Sequence, residues 1–363
     1  MKKYFNRNTL IVAVALIVLM AIAGIALFKP LSVSLMNSIV RSSMSSKNVQ
    51  YEDGLYAGLC GTGSPMPDIQ RAGPCVTILA GEHAFIVDAG EGSTRNVLLM
   101  NFPIGETDAI LLTHFHSDHI ADLGEMELQR WVGGANQTPV SVIGPSGVDQ
   151  VVEGFNLAYQ LDSGYRVAHH GPETTPPTGA GGIAQPFELG EAANASVVVF
   201  DQDGVKITAF KVDHRPVEPA VGYRFDYKGR SLVISGDTVY SESLLEYAQG
   251  VDLLFHEALN QTMVNLINAN ADASPSPAIE KITHDIPSYH STPEDAAKIA
   301  SAAGVQHLVY YHIIPPLPSP ILKNVFLGDA RNFYQGPITM GEDGMLFFLP
   351  ANSDKIELKE LFK

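Results

Sequence analysis

The hydrophobic pattern begins with one long apolar run near the N-terminus. Residues 10–28 read LIVAVALIVLMAIAGIALF, and a helix of these 19 uncharged residues spans about 28 Å, close to the hydrocarbon core of a bilayer. Lys2, Lys3 and Arg7 precede the run, which predicts a membrane anchor with its N-terminus in the cytoplasm and the remaining chain outside, in a bacterium in the periplasm. The alternative is a signal peptide cleaved near residues 21–23, which would leave the chain exported.

Beyond residue 50, short apolar runs alternate with turn signals, which predicts sheets covered by helices. Strands are predicted at 75–90 (as a hairpin), 108–114, 139–145, 205–214, 220–237, 251–258, 305–313 and 345–350. Helices are predicted at 119–132, 146–160, 241–249 and 293–304, the last with Thr292 as N-cap and Pro293 in its first turn.

Two stretches fit neither pattern. Residues 161–196 contain PETTPPTGAGG, and their Pro and Gly content predicts a surface loop or lid. Residues 30–50 are rich in serine and are expected to form a weakly amphipathic or disordered stalk. The pattern therefore predicts an anchor or signal segment at 1–29, a stalk at 30–50 and one folded domain at 51–363.

The composition is that of a globular protein with an acidic surface. The chain carries 39 Asp and Glu against 23 Lys and Arg, a net charge of −16, and four of its cations lie within the first 29 residues. Polyanions are bound by clustered Lys and Arg, yet Arg166 is the only basic residue between 131 and 200. Nucleic acid is therefore not expected as a partner.

The chain has two cysteines, Cys60 and Cys75, which is too few for a disulfide framework. They could pair with each other if the domain lies outside the cytoplasm. Alternatively, they are two small buried residues at the ends of adjacent strands.

The strongest chemical signal is LLTHFHSDHIADL at 111–123. It places four candidate metal ligands within six residues, between a predicted strand and a predicted helix: His114, His116, Asp118 and His119. Alternate residues of a strand share a face, and the following turn brings the other two side chains to a second point. Imidazole and carboxylate ligands without thiolate suit Zn²⁺, with Mn²⁺ or Fe as alternatives, so we expect two divalent metal ions.

Three further ligands follow other predicted strands: His214, Asp237 and His312. Each alone would more often be structural, but all three stand at the carboxyl end of an apolar run. A carboxylate has two oxygens, so Asp237 is suited to bridge two cations.

These residues carry a family resemblance. HFHSDH at 114–119 resembles the H-x-H-x-D-H signature of the metallo-β-lactamase-fold hydrolases. The chain is also similar to their ribonuclease Z and arylsulfatase branch in GTGSP (61–65), VDAGEG (87–92), GYR (222–224), SGDT (235–238), HEA (256–258) and HST (290–292). The resemblance implies an α/β (α+β) fold, the αββα sandwich, here preceded by the N-terminal transmembrane helix.

The resemblance also implies roles for the candidate ligands. It assigns His114, His116 and His214 to one metal, Asp118, His119 and His312 to the other, and Asp237 to a bridge between them. Asp88 would orient a ligand imidazole.

The expected chemistry is ester hydrolysis by a metal-bridged hydroxide. His290, supported by Glu257, is the candidate acid that protonates the leaving oxygen, and Asp118 could also bond the attacking water. The expected substrate is a small anionic ester, either an aryl sulfate or a phosphodiester. The membrane is a second expected partner, contacted through the N-terminal helix. The sequence leaves the oligomeric state open, and a homodimer is one possibility. The alternatives are a ribonuclease Z-type tRNA 3′ endonuclease and a non-catalytic, membrane-tethered binding protein.

Other histidines receive weaker expectations. His169 and His170 adjoin the predicted lid and could contact substrate or lie free in solvent. His256 precedes Glu257 on a strand and should face the opposite side, in the core. His284 is left unassigned.

Overall fold

The computed structural model describes residues 6–45, 51–270 and 277–362. Its contacts divide the chain into two compact units, residues 1–52 and 53–363. The first unit contains helix α1 (Arg7–Ser45). The most apolar part of residues 8–41 has a mean hydropathy of 3.1, so the helix is long and apolar enough to cross a membrane. None of this apolar part is buried within the described structure.

Helix α1 runs further than the apolar segment predicted from the sequence. It continues through Pro30 to Ser45, so most of the expected stalk is helical. A proline removes one backbone hydrogen bond from a helix interior, and here the helix persists across it. Lys2 and Lys3, which carry part of the orientation argument, and stalk residues 46–50 lie outside the described residues.

The second unit contains two β-sheets. The first has eight strands in the spatial order β15 (Glu357–Glu360), β14 (Met345–Pro350), β1 (Gly54–Gly61), β2 (Cys75–Ala80), β3 (His83–Val87), β4 (Ala109–Leu111), β5 (Val140–Pro145) and β6 (Gly182–Phe187). The second has seven, in the order β13 (Ile338–Met340), β12 (His307–Ile314), β11 (Leu253–Leu259), β10 (Arg230–Ile234), β9 (Val221–Tyr227), β8 (Val205–Lys211) and β7 (Ser196–Gln202).

Ten α-helices follow α1 in the described chain. They are α2 (Ser93–Leu99), α3 (Ser117–Ile120), α4 (Leu123–Gly134), α5 (Val148–His170), α6 (Glu242–Tyr247), α7 (Gln261–Ala269), α8 (Pro277–Asp285), α9 (Pro293–Ala302), α10 (Leu322–Phe326) and α11 (Ala330–Phe333). Helices α2, α4 and α5 contact the first sheet, whereas α6 and α9 contact the second.

The main core lies between the sheets. Phe255 of β11 packs edge-on against Phe347 of β14 with ring centroids 5.5 Å apart, and both rings are fully buried. A second apolar cluster joins the other face of the β10–β12 strands to α6 and α9. Helices therefore cover both outer faces of two packed sheets, and the predicted αββα sandwich is confirmed.

Parallel strands bring the candidate ligands to one edge. Strands β3, β4 and β5 run parallel in the first sheet, and β10, β11 and β12 run parallel in the second. The carboxyl ends of parallel strands lie on the same edge of a sheet. Asp88 follows β3, Asp237 follows β10, and His312 lies near the end of β12.

The predicted loop at 161–196 is largely regular structure. Helix α5 continues to His170, and residues 182–187 form β6 beside β5. The Pro- and Gly-rich turn between them is tied down, because Trp131 Nε1 donates to the Pro176 carbonyl (2.8 Å) and Asn156 Nδ2 donates to the Gly182 carbonyl (3.0 Å). Tertiary hydrogen bonds thus order a segment whose composition is typical of a loop.

Cys60 and Cys75 form a disulfide between β1 and β2. The two strands are antiparallel neighbours, and the 15-residue separation closes a loop around GTGSP. The sequence left open whether the two cysteines are bonded to each other or are separate buried residues, and in the structure they are bonded.

Candidate metal centre

The first group of candidate ligands joins three histidines and one aspartate. After β4, the backbone turns so that His114 Nε2 lies 3.0 Å from His116 Nδ1, and His214 Nε2 reaches the same atom at 3.4 Å. Asp237 Oδ2 lies 3.7 Å from His114 Nε2 and 3.8 Å from His214 Nε2. Four donor atoms from three separate segments therefore face one point.

The second group shares that aspartate. His312 Nε2 lies 3.3 Å and His119 Nε2 3.6 Å from Asp118 Oδ2. Asp237 Oδ2 is 3.4 Å from His119 Nε2 and 3.5 Å from His312 Nε2. One oxygen of Asp237 thus faces imidazoles of both groups, which is the position a bridging carboxylate needs.

This arrangement fits divalent metal ions. The donor atoms of His114, His116, His214 and Asp237 lie within 4.8 Å of one another, as do those of Asp118, His119 and His312, which suits ligands placed about 2 Å from a central ion. Buried polar atoms are normally hydrogen-bonded. Yet His119 Nε2 and Asp237 Oδ1 have no hydrogen-bond partner within the described chain, and a cation between the groups would satisfy His119. Nitrogen and oxygen donors without thiolate are typical of a zinc site.

The neighbouring groups orient the imidazoles. Asp88 Oδ2 lies 2.9 Å from His119 Nδ1, while Asp88 Oδ1 accepts from the Thr113 amide at 2.8 Å. His214 Nδ1 donates to the Tyr289 carbonyl at 2.8 Å. Each contact occupies one ring nitrogen and directs the other toward the ligand group.

A β-bulge aims His312. Along the parallel β11–β12 pair, Glu257 is opposite Tyr311 but Ala258 is opposite Ile313, so His312 is the extra residue. Its φ of 45° is in the left-handed region, where the backbone leaves the regular strand path. The bulge breaks the alternation of side chains and allows His312 to join the second group.

Burial and charge set the protonation of the site. Burial lowers the pKa of His114 well below its ordinary value, so its imidazole is neutral and able to bind a cation. Burial opposes ionisation of Asp237, but the imidazoles of His312 and His119 outweigh it and hold the pKa of that carboxyl well below its usual range. The centre therefore keeps an ionised carboxylate in a buried position.

His290 and Glu257 adjoin both ligand groups. Glu257 is fully buried, and its Oε1 lies 3.2 Å from His290 Nδ1 and accepts from the Ser291 amide at 2.9 Å. The His290 ring centroid is 5.2 Å from that of His214 and 5.6 Å from that of His312. The structure thus brings the acid predicted from HST and the carboxylate predicted from HEA together beside the ligands.

Local structure holds the HST segment in place. Thr292 is the N-cap of α9, as the sequence predicted, and the structure adds a capping box between Thr292 and Asp295. Ser291 Oγ donates to the Thr238 carbonyl at 2.7 Å. Both interactions fix the backbone that directly follows His290. His290 also groups with Asp237 and His312 in a third set that could hold a metal, so its geometry allows a ligand role as well as an acid role.

Four other histidines that the sequence analysis singled out join none of the ligand groups. His169 and His170 end α5 with exposed side chains and belong to neither ligand group. His256 is buried in β11, with Nδ1 2.7 Å from the Glu257 carbonyl oxygen, which matches its expected core position. His284 is exposed on α8.

Two contributors escaped the sequence analysis. Thr113 donates its amide to Asp88, and its hydroxyl lies 3.1 Å from His114 Nδ1. Tyr289 acts on His214 through its backbone carbonyl. A backbone contact of this kind leaves no residue-type signal in a sequence.

Comparisons with known proteins identify relatives over most of the chain. A family model described as a beta-lactamase superfamily domain matches residues 83–313. The chain is 37% identical over 286 residues to "Ribonuclease Z" of Mycobacterium sp. strain KMS, covering 78% of this chain and 93% of that protein. It is 38% identical over 287 residues to "Ribonuclease Z" of Mycobacterium bovis strain BCG Pasteur 1173P2, covering 78% and 95% respectively.

Solved structures share the fold. The metallo-beta-lactamase fold protein YhfI from Bacillus subtilis is 18% identical with a TM-score of 0.59, covering 82% of this chain and all of that one (100%). Human tRNase Z, short form, is 21% identical with a TM-score of 0.56, covering 80% and 98%.

The relatives overturn one expectation from the sequence. We expected a small anionic ester as the partner and no nucleic acid, but relatives at 37–38% identity over 78% of the chain are named as ribonucleases. The expectation was wrong because net charge sums over the whole surface. A phosphate meets the local field instead, and bound cations are the largest local charges in such a site.

Proposed function

Because this chain belongs to the beta-lactamase superfamily and to its ribonuclease Z branch, we propose that it hydrolyses a phosphodiester bond of RNA, as a ribonuclease Z-type endonuclease. The family resemblance carried by HFHSDH is thereby confirmed. The observation that supports the proposal most directly is Asp237, whose Oδ2 faces His114 and His214 of one group and His119 and His312 of the other.

The proposed ligands form two sets. His114, His116 and His214 would hold one divalent ion, Asp118, His119 and His312 the other, with Asp237 shared. Two such ions, Zn²⁺ by donor type, would supply positive charge next to the phosphate and a water of lowered pKa. His116 and Asp118 are only half-buried, whereas the other five side chains are buried, so substrate would approach from their side.

The chain's own groups complete the reaction. Asp118 lies at this open side and can accept a hydrogen bond from the attacking water while binding its ion. His290 would donate a proton to the leaving oxygen of the RNA, since its ring adjoins both ligand groups. Glu257 holds the His290 imidazole from its far side.

The test uses the full chain, purified in detergent and loaded with Zn²⁺ or Mn²⁺. We expect it to cleave a tRNA precursor that carries a 3′ extension, at one site, and expect His116→Ala to abolish this cleavage. A metal-loaded chain that cleaves no RNA would contradict the proposal.

We also propose that the catalytic unit lies on the outer side of a membrane. Helix α1 is long enough to serve as the anchor, and Cys60 and Cys75 are joined in a disulfide, which persists in oxidising compartments. RNA outside the cytoplasm would then be the substrate, and the tRNA precursor serves as a probe of the chemistry. When the outer envelope of the cells is opened and the inner membrane is left intact, added protease should digest the second unit, residues 53–363. If this unit were protected until the inner membrane is lysed, the proposed orientation would be contradicted.

A further inference from the structure

Tyr289 occupies a position that the proposed chemistry leaves unused. Its ring centroid is 5.0 Å from that of His290 and 5.5 Å from that of His214. The ring therefore touches both the proposed proton donor and a ligand of the first group. Tyr289 is half-buried, so part of the residue remains open to solvent.

The ring is firmly mounted. Tyr289 and Met66 pack against a small buried cluster formed by Leu259, Val264, Ile286 and Ile314. The Tyr289 carbonyl accepts from His214 Nδ1 at 2.8 Å, which ties the backbone to the metal centre. An aromatic ring fixed in this way loses little conformational freedom when a ligand stacks on it.

We infer that Tyr289 is the stacking platform for one nucleobase, that of the nucleotide which carries the leaving oxygen. This inference rests on the proposed function. His290 would protonate the leaving oxygen, and the base of that nucleotide is joined to the same ribose. A ring in contact with His290 is therefore beside this base. Single-stranded RNA is recognised largely by bases stacked on aromatic side chains, and such stacking accepts every base.

Tyr289 would thus contribute to substrate binding in two separable ways. The carbonyl positions His214 and is independent of the side chain. The ring contacts RNA and matters only when a base is present. Tyr289→Leu removes the ring but retains the carbonyl and an apolar side chain, whereas Tyr289→Phe retains the ring.

The experiment is a double-mutant cycle between the ring and the base. The cleavage site in the precursor RNA is mapped first, and the product end that carries the phosphate shows which nucleotide holds the leaving oxygen. That nucleotide is then made abasic in a second RNA. Both RNAs are cleaved by the full parent chain, Tyr289→Leu, Tyr289→Phe and, as a matched surface control, Tyr165→Leu, whose exposed ring lies on α5.

With the intact RNA, Tyr289→Leu should lower kcat/KM about tenfold or more, mainly through KM, with unchanged metal content. Tyr289→Phe and Tyr165→Leu should stay within about twofold of the parent. On the abasic RNA, the parent should lose a similar factor and Tyr289→Leu should lose nothing further, because the two changes remove the same contact. As a direct readout, stopped-flow fluorescence of 2-aminopurine placed at that nucleotide should show quenching when the RNA binds the metal-loaded parent, before cleavage, but not when it binds metal-loaded Tyr289→Leu.

If Tyr289→Leu lowered kcat/KM relative to the parent by the same factor on the intact and on the abasic RNA, the inference would be overturned and the ring would have a purely structural role. No loss on either RNA would overturn it as well. If the metal-loaded parent cleaves no RNA, the proposed function fails, and this inference falls with it.

Discussion

The carboxylate of Asp88 lies 2.9 Å from Nδ1 of His119, while Nε2 of the same ring faces Asp237 at 3.4 Å. Asp88 follows β3, and His119 lies on α3, so the contact joins two segments of the first sheet's edge. The hydrogen bond places the ring proton on Nδ1 and turns the lone pair of Nε2 toward the second ligand group.

Replacing Asp88 should weaken metal binding without removing a ligand. We expect Asp88→Asn to lower metal affinity about 10- to 100-fold, because the uncharged amide orients and polarises His119 less well. Competition with a chromophoric chelator measures the affinity. Asp201→Asn, which changes an exposed carboxylate on β7, is the matched control and should leave the affinity unchanged. Equal affinities for Asp88→Asn and the parent would show that Asp88 does not support the centre.

Removing a proposed ligand should have a larger effect. His116→Ala should reduce the bound metal from two ions per chain toward one. The loss of an orienting group typically lowers activity about 10- to 100-fold, and the rate of RNA cleavage should fall by more than this in His116→Ala. Elemental analysis after dialysis gives the stoichiometry. His169→Ala removes an exposed imidazole at the end of α5 and should retain both ions and full activity. If His116→Ala kept two tightly bound ions, His116 would not be a ligand.

The His290–Glu257 pair should affect the rate rather than metal content. We expect His290→Ala to lower kcat on RNA about 100- to 10,000-fold, the range typical of losing a general acid. With bis-p-nitrophenyl phosphate the loss should be much smaller, because p-nitrophenolate leaves without a proton. Glu257→Gln should follow the same pattern more weakly.

His284→Ala, on the exposed face of α8, is the matched control for this pair. Loss of one metal ion in His290→Ala would assign His290 to the ligands instead, as its grouping with Asp237 and His312 allows.

The Cys60–Cys75 disulfide should stabilise the catalytic unit. Its 15-residue separation corresponds to about 3 kcal/mol in the chain-entropy model. The variant in which both cysteines are alanine should therefore unfold at lower urea concentration, and reduction of the parent should reproduce that shift. Reduction that leaves the parent's urea midpoint unchanged would refute this assignment.

Glu127 should make stability depend on pH. The side chain lies buried on α4 against Gly182, its oxygens have no hydrogen-bond partner within the described chain, and burial raises its pKa to about 8. Between the unfolded value, 4.5, and about 8, the unfolded chain ionises while the folded chain keeps the proton. The free energy of unfolding should therefore fall as pH rises, by about 1.4 kcal/mol per pH unit from this residue.

Glu127→Gln should abolish this contribution. Urea unfolding of parent and variant at several pH values between about 5 and 8 measures the difference, and Glu153→Gln on the exposed face of α5 is the control. A constant stability difference between parent and Glu127→Gln across this range would disprove the assignment.

The sequence by itself determined much of this protein. Spacing placed His114, His116, Asp118 and His119 between a strand and a helix. In the structure, His114 and His116 lie between β4 and α3, whereas Asp118 and His119 lie within α3 itself. The β2–β3 hairpin and the capped start of α9 followed from alternation and cap chemistry, which are local properties. The apolar N-terminal helix followed from composition alone. The net charge predicted that RNA is not a partner, and this prediction was wrong because a net charge carries no information on where the charges lie.

The tertiary structure decided the rest. Asp118 and His312 are 194 residues apart in the sequence. They meet only because the two sheets pack against each other, which brings the segments that carry them together. The bulge at His312 and the carbonyl of Tyr289 that orients His214 have no residue-type signature, since backbone geometry creates both. The Pro- and Gly-rich stretch is ordered by side chains of α4 and α5, and burial alone sets the raised pKa of Glu127. Local pattern determines which elements form, whereas distant contacts, desolvation and backbone irregularity arise only once those elements pack.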